Sequence, residues 1–248
     1  MAASETGLGA MEAVIFDLDG VVTRTAELHA RAWKQLFDDY LAARARSLGE
    51  PFRPFDPVSD YRRFVDGRPR FEGVVSFLQS RGIELPFGSP GDPEERETVC
   101  SLGNRKNRHF RAALARTGGD PYPTTLELIS ALRKRGVRTA IVSSSRNCAA
   151  VLEAAGIGDL FDAKVDGIDA VELGLPGKPE PALFLEAARR LAVDPAHAAV
   201  IEDAIAGVEA GRRGGFALVV GVDRGSQFDA LTTAGADVVV GDLAELAV

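Results

Sequence analysis

The chain has 248 residues, 46% of them hydrophobic and 26% charged, which is enough apolar material for a packed core. The formal net charge of −7 argues against a general nucleic-acid surface, so an anionic substrate needs a local cluster of positive charge. Cys100 and Cys148 are too far apart in sequence to read as a metal-ligand pair or a disulfide framework, which points to a reducing compartment. Met1–Ala10 lacks the basic and apolar regions of a secretory signal, and no apolar run reaches membrane-spanning length. The expectation is a soluble cytoplasmic protein with no membrane or nucleic-acid partner. No exposed apolar stripe stands out, so the default is a monomer.

Residues 12–17 (EAVIFD) form a short apolar run ending in an acid, the pattern of a buried strand. A helical pattern follows from Thr25 to Ser47, with Leu28, Trp33, Leu36, Phe37 and Tyr40 on one face. Proline breaks residues 49–57, and shorter helical patterns follow near 58–65 and 70–81. After a second break at 88–93, a longer helical pattern spans 94–116. From Pro121 the texture changes. β-rich runs at 137–143, 163–165, 198–203, 216–222 and 236–241 alternate with helical patterns near 124–135, 147–155, 180–192, 204–213 and 227–234. Alternating strand and helix imply a parallel sheet wrapped by helices, and the first strand needs that same sheet. The expected fold is therefore α/β: a doubly wound, Rossmann-like parallel-sheet core (11–24 and 121–248) with an inserted all-helical cap (25–120), behind an N-terminal tail (1–10).

Chemistry collects at the strand ends. Asp17-Leu18-Asp19-Gly20 closes the first strand, and carboxylates two residues apart project to one side. One carboxylate can act as nucleophile and the other as acid or base in phosphoryl transfer. Taken alone, the motif reads more simply as a solvated turn. Ser143, Ser144, Ser145, Arg146 and Asn147 follow the second strand and open a helix. Hydroxyls, free N–H groups and a guanidinium there suit a phosphate, although a serine cap with a solvated arginine is the plainer alternative. Lys178 stands between Gly177 and Pro179, with Pro181 stiffening the segment beyond. It can pair with a phosphoryl oxygen and an aspartate, or be a surface lysine. Glu202-Asp203 ends a later strand. With Asp17 these acids make hard oxygen ligands for Mg2+, where they could otherwise serve only as helix-dipole partners. What outweighs the plain readings is that all four stretches converge on one edge of a parallel sheet.

These four stretches (DLDGV at 17–21, IVS at 141–143, GKPEP at 177–181 and IEDAIAG at 201–207) resemble, in order, the motifs of the haloacid dehalogenase superfamily. The resemblance implies Asp17 as a nucleophile that becomes phosphorylated and Asp19 as general acid/base. Ser143 and Lys178 would hold the moving phosphoryl group. Mg2+ would be bound by Asp17, the Asp19 carbonyl and Asp203, with Glu202 assisting. Within the superfamily the details are similar to the β-phosphoglucomutase-like subfamily. That similarity makes Thr25 a hinge, His29 a link between cap closure and the acid/base, and Trp33 a substrate neighbour. It gives Ser144, Ser145, Arg146 and Asn147 to the substrate's other phosphate, and Arg70 the role of gripping it from the cap.

Some positions depart from the subfamily pattern. Arg24 replaces an acid, Asp66 stands where a lysine would help, the Arg- and Pro-rich stretch 41–66 is long, and no cap lysine matches near Arg111. The activity implied is isomerisation of a β-hexose 1-phosphate through a bisphosphate. A sugar-phosphate phosphatase and, in a different class, a non-catalytic metabolite-binding protein are the alternatives. A phosphonate hydrolase would need a Schiff-base lysine from the cap, for which Lys34 and Lys106 are candidates without the expected context.

Overall fold

A computed structural model of the chain describes residues 4, 5, 7–225 and 227–247. The chain divides into two compact units, one running to Arg24 and resuming at Gly119, the other spanning Thr25–Gly118.

In the first unit, β1 (Ser4–Glu5) is followed by β2 (Ala13–Asp17). In the second lie α1 (Thr25–Leu48), α2 (Arg70–Ser80) and α3 (Val99–Thr117). The first unit then continues through α4 (Pro123–Lys134), β3 (Arg138–Val142), α5 (Cys148–Ala155), β4 (Ala163–Val165) and α6 (Gly167–Glu172). It ends with α7 (Ala182–Leu191), β5 (Ala198–Glu202), α8 (Ile205–Arg213), β6 (Leu218–Val222), α9 (Phe228–Ala234), β7 (Val238–Val240) and β8 (Leu246–Ala247).

Six strands form one parallel sheet in the order β4-β3-β2-β5-β6-β7. Its strands are rich in Val, Ile and Ala because both faces are covered. Ala13, Ile15, Ala140, Val142, Ala198 and Val200 pack with Phe184 and Ala187 of α7 and Val208 of α8. The alternate residues Val14, Phe16, Ile141 and Ile201 are also fully buried. Successive connections run outward from β2, first to β3 and β4, then to β5 on its other side. The order therefore reverses at β2, and a crevice opens at the carboxyl ends of β2, β3 and β5. This is the Rossmann-like core that strand–helix alternation implied.

The second unit is helical. Along α1, Leu28, Ala32, Trp33, Leu36, Phe37, Tyr40 and Leu41 are buried at three- and four-residue spacing. Phe37 stacks on Trp33 and Phe55, and packs against Phe77 of α2 at a ring separation of 4.1 Å. The helix expected near 58–65 is a single π turn over Tyr61–Val65. The pattern expected from 94 starts as a helix only at Val99, where Thr98 accepts a hydrogen bond from the Ser101 N–H at 3.1 Å.

Two further expectations are corrected. The stretch 1–10 is not simply a tail: Ser4–Glu5 pairs with Leu246–Ala247, and Leu8 is fully buried, while residues 1–3 and 6 lie outside the described residues. Helix α6 was not foreseen, because its six residues are too few to show a period. The Asp166–Asp169 capping box fixes it instead. Among the described residues no helix is long and apolar enough to cross a membrane.

Candidate active site

The site in the first unit begins with β2, whose last residue is Asp17. Past it the chain turns sharply: the Gly20 N–H donates to the Thr23 carbonyl at 2.7 Å, and the Thr23 hydroxyl donates to the Leu18 carbonyl at 3.2 Å. Gly20 has φ +90°, and a Cβ there would lie 1.8 Å from Asp203 Oδ2. Glycine is thus required both for the turn and for the approach of Asp203.

Lys178 enters from the loop before α7, with only 1% of its surface exposed. Its ammonium donates to Asp17 Oδ1 and, at 2.8 Å, to Glu202 Oε1. The other Glu202 oxygen accepts the Asp203 backbone N–H at 2.8 Å. Gly207 makes room for Glu202, since a Cβ there would fall 1.6 Å from Oε1. Ser143, buried at the end of β3, donates from its hydroxyl to Asp19 Oδ2 at 3.4 Å and accepts the Ser145 N–H at 3.1 Å. Lys178 thus ties Asp17 to Glu202, Ser143 ties Asp19 to the 145 backbone, and Asp203 lies against Gly20.

Ser145 in turn accepts the Asn147 N–H at 3.1 Å, and its carbonyl accepts the Gly167 N–H at 3.2 Å. Gly167 leaves no space for a side chain, because its Cβ would sit 2.6 Å from the Ser144 carbonyl. The loop 144–147 is therefore held from below by α6, while the Arg146 side chain is exposed.

Electrostatics follow from this burial. Desolvation pushes the Asp17 pKa well above the carboxylate range; the Glu202 charge adds to that rise, and Lys178 opposes it. Burial alone would lower the Lys178 pKa, but Asp17 and Glu202 outweigh it and hold the ammonium protonated. Asp17, Glu202 and Asp203 present ligand oxygens within 4.8 Å of one another. Asp17 and Glu202 share the Lys178 ammonium, and Asp203 adds a third carboxylate beside them. A hard divalent cation such as Mg2+ matches this anionic, all-oxygen donor set.

The second unit holds its own group. Lys106 of α3 is only 4% exposed, and its Nζ lies 2.5 Å from His29 Nδ1 and over the Trp33 and Phe110 rings at 4.9 and 5.1 Å. His29 also stacks on Phe110 at 4.0 Å. Arg70 opens α2, donating to Asn104 Oδ1 at 3.5 Å and lying over Phe71. Thr25, at the start of α1, is buried.

Sequence reasoning had treated Lys106 only as a Schiff-base candidate and missed its packing. The signal was present: Val99, Leu102, Lys106, Phe110 and Leu114 fall on one apolar stripe, where a lysine is out of place. Arg224 was missed altogether. It follows β6, donates to the Gly20 carbonyl at 2.8 Å and stacks on Tyr122 at 3.8 Å, bracing the turn that carries Asp19. Its place two residues beyond a strand end was the available clue.

A parallel sheet whose switch point gathers a buried aspartate, a second aspartate, a serine, a lysine and an acidic pair defines a phosphoryl-transfer enzyme. The chain belongs to the haloacid dehalogenase family: residues 11–215 match the model described as haloacid dehalogenase-like hydrolase. Within that family it falls in the β-phosphoglucomutase-like subfamily. It is 49% identical to the β-phosphoglucomutase of Mycobacterium bovis over 95% of this chain and 91% of that protein. It resembles the crystal structure of β-phosphoglucomutase from Clostridium difficile, with TM-score 0.76 and 28% identity, over 96% of this chain and 93% of that one. CbbY of Rhodobacter sphaeroides, solved with xylulose 1,5-bisphosphate, matches with TM-score 0.69 and 26% identity over 95% and 96% of the two chains.

Proposed function

We propose that the protein is a β-phosphoglucomutase, converting β-glucose 1-phosphate to glucose 6-phosphate through the 1,6-bisphosphate. The observation that carries this reading is the buried Lys178 ammonium bridging Asp17 and Glu202 beside Asp19 and Ser143. The likeness to enzymes named β-phosphoglucomutase over nearly their whole length supports the choice of substrate.

Phosphorylated Asp17 faces the free 6-hydroxyl of the substrate. As that oxygen bonds to phosphorus, Asp19 takes the hydroxyl proton and the bond from phosphorus to Asp17 breaks. The bisphosphate then presents its other end. An Asp17 oxygen attacks the 1-phosphoryl group, and Asp19 returns its proton to the departing sugar oxygen. Atoms and protons balance over the cycle, and Asp17 ends as it began. Lys178 and the Ser143 hydroxyl hold the phosphoryl oxygens while charge spreads over them. Mg2+ held by Asp17, the Asp19 carbonyl, Glu202 and Asp203 would supply positive charge against the same oxygens.

Ser144, Ser145, Arg146 and Asn147 are assigned to the phosphate that is not being transferred. In the helical unit His29, Trp33, Arg70 and Lys106 are assigned to substrate recognition, with Thr25 at the hinge. Two buried free thiols accord with a reducing, cytoplasmic setting.

Incubating the protein and Mg2+ with β-glucose 1-phosphate and a trace of the 1,6-bisphosphate tests the reading. Phosphorus NMR should show glucose 6-phosphate accumulating without inorganic phosphate, and no conversion of the α anomer. Release of inorganic phosphate with no 6-phosphate would instead make the protein a sugar-phosphate phosphatase.

A further inference from the structure

The Arg- and Pro-rich stretch after α1 has no part in the proposed reaction, yet it lines a cavity of about 830 Å3 within the helical unit. That volume is typical of a small-molecule site. Four guanidiniums border it: Arg44 from α1, Arg53 from the connector, Arg63 from the π turn and Arg81 just after α2. Only two carboxylates, Glu50 and Asp60, stand with them. In a chain of net charge −7 this is a local reversal of sign.

Only one of the four arginines, Arg81, is engaged in an ion pair among the described residues. Asp60 is taken by Arg81, at 2.7 Å, and by the Asp56 N–H at 2.9 Å. Arg63 lies over the Phe64 ring at 5.3 Å, and Arg44 sits beside the Tyr40 hydroxyl. Among the described residues, Arg44, Arg53 and Arg63 have no carboxylate within ion-pair distance. Phe64 and Ile83 contribute apolar lining.

The cavity is separate from the group around His29. Arg44 lies fifteen residues beyond His29 on the same helix, about 22 Å along its axis. None of the residues assigned to substrate lines it.

We propose that this cavity is a second ligand site, taking a small metabolite that carries two phosphoryl groups. Guanidinium forks bind phosphoryl oxygens two at a time, so three arginines with no carboxylate partner and a fourth shared one exceed what a single phosphate uses. The volume likewise leaves room for two phosphoryl groups. The site binds its ligand whether or not the catalytic reading holds, since no catalytic residue takes part.

Pyrophosphate serves as the probe, with inorganic phosphate as the single-phosphoryl control. In Mg2+-free buffer, titration of the full-length protein should shift the side-chain Nε–H resonances of Arg44, Arg53, Arg63 and Arg81 saturably, each assigned by its Lys substitution. Pyrophosphate should bind them at least tenfold more tightly than phosphate. Calorimetry on the Arg53→Ala/Arg63→Ala variant should show one binding equivalent fewer than the wild type, with turnover in the absence of pyrophosphate unchanged. Both side chains are exposed, so the core is untouched. A Lys178→Ala variant should keep the cavity site, which separates it from binding at the catalytic centre. Still arginine resonances, or an isotherm unaltered by the double substitution, would overturn the proposal.

Discussion

Lys178 carries more of the site than its single charge suggests. Its ammonium pairs with both Asp17 and Glu202, and all three side chains are buried, with half-buried Asp203 beside them. Removing one partner of a buried ion pair leaves the others uncompensated, at a cost of about 3–5 kcal/mol. Lys178→Ala should therefore lower stability by about that amount in metal-free buffer, read by denaturant unfolding. Added Mg2+ should recover a larger share in the variant than in the wild type, because the variant cluster carries one more uncompensated negative charge. An unchanged unfolding midpoint would mean that the lysine does not stabilise the cluster.

The residues of this cluster were legible in sequence for a physical reason. Each stands just past an apolar run or beside prolines, and a parallel sheet brings those strand ends to one edge. Lys106 and Arg224 were harder to see. Lys106 is hidden in an otherwise ordinary apolar stripe, and Arg224 acts through a backbone carbonyl rather than through a motif. Arg224→Ala should leave substrate binding intact but slow turnover about 10–100-fold, as loss of a group that orients a reacting residue does. Partial rescue by Arg224→Lys would support a positioning role; a rise in KM with unchanged kcat would contradict it.

At the scale of the element, α7 follows the Lys178 loop and covers β2, β3 and β4. Its Glu186 is clamped by Arg189 and Arg190 of the same helix, at 2.6 and 2.8 Å. The Arg189 hydrogen bond leads in lowering the Glu186 pKa from 4.5 to about 2. A depressed folded-state pKa means that the unfolded chain binds the proton more readily. The stabilisation is therefore complete above about 4.5 and is lost as pH falls through about 2. Glu186→Gln should be less stable than the wild type near neutral pH, and the gap should close across that window. A gap independent of pH would assign the effect to packing instead.

Element type was readable where the period was long enough. The α1 stripe and the β-rich runs declare themselves, whereas α6 rests on a capping box and the π turn over Tyr61–Val65 on local backbone geometry. The pairing of β1 with β8 joins the two ends of the chain, which no local pattern can reveal.

Across the whole molecule, the change of texture at Pro121 marked the return to the parallel sheet, because strands buried on both faces read differently from amphipathic helices. Convergence of the strand ends then followed from parallel topology. The arginine-lined cavity did not, since its members come from a helix, a connector, a π turn and a helix end that only folding brings together.

The central claim is that a phosphoryl group passes through the Asp17 carboxylate. Protein incubated with Mg2+ and the 1,6-bisphosphate, quenched in acid and reduced with borohydride, should yield homoserine in place of aspartate at position 17, found by peptide mass spectrometry. The Asp17→Asn variant should show neither that product nor turnover. Steady turnover with position 17 unmodified, or homoserine at another carboxylate, would contradict the account.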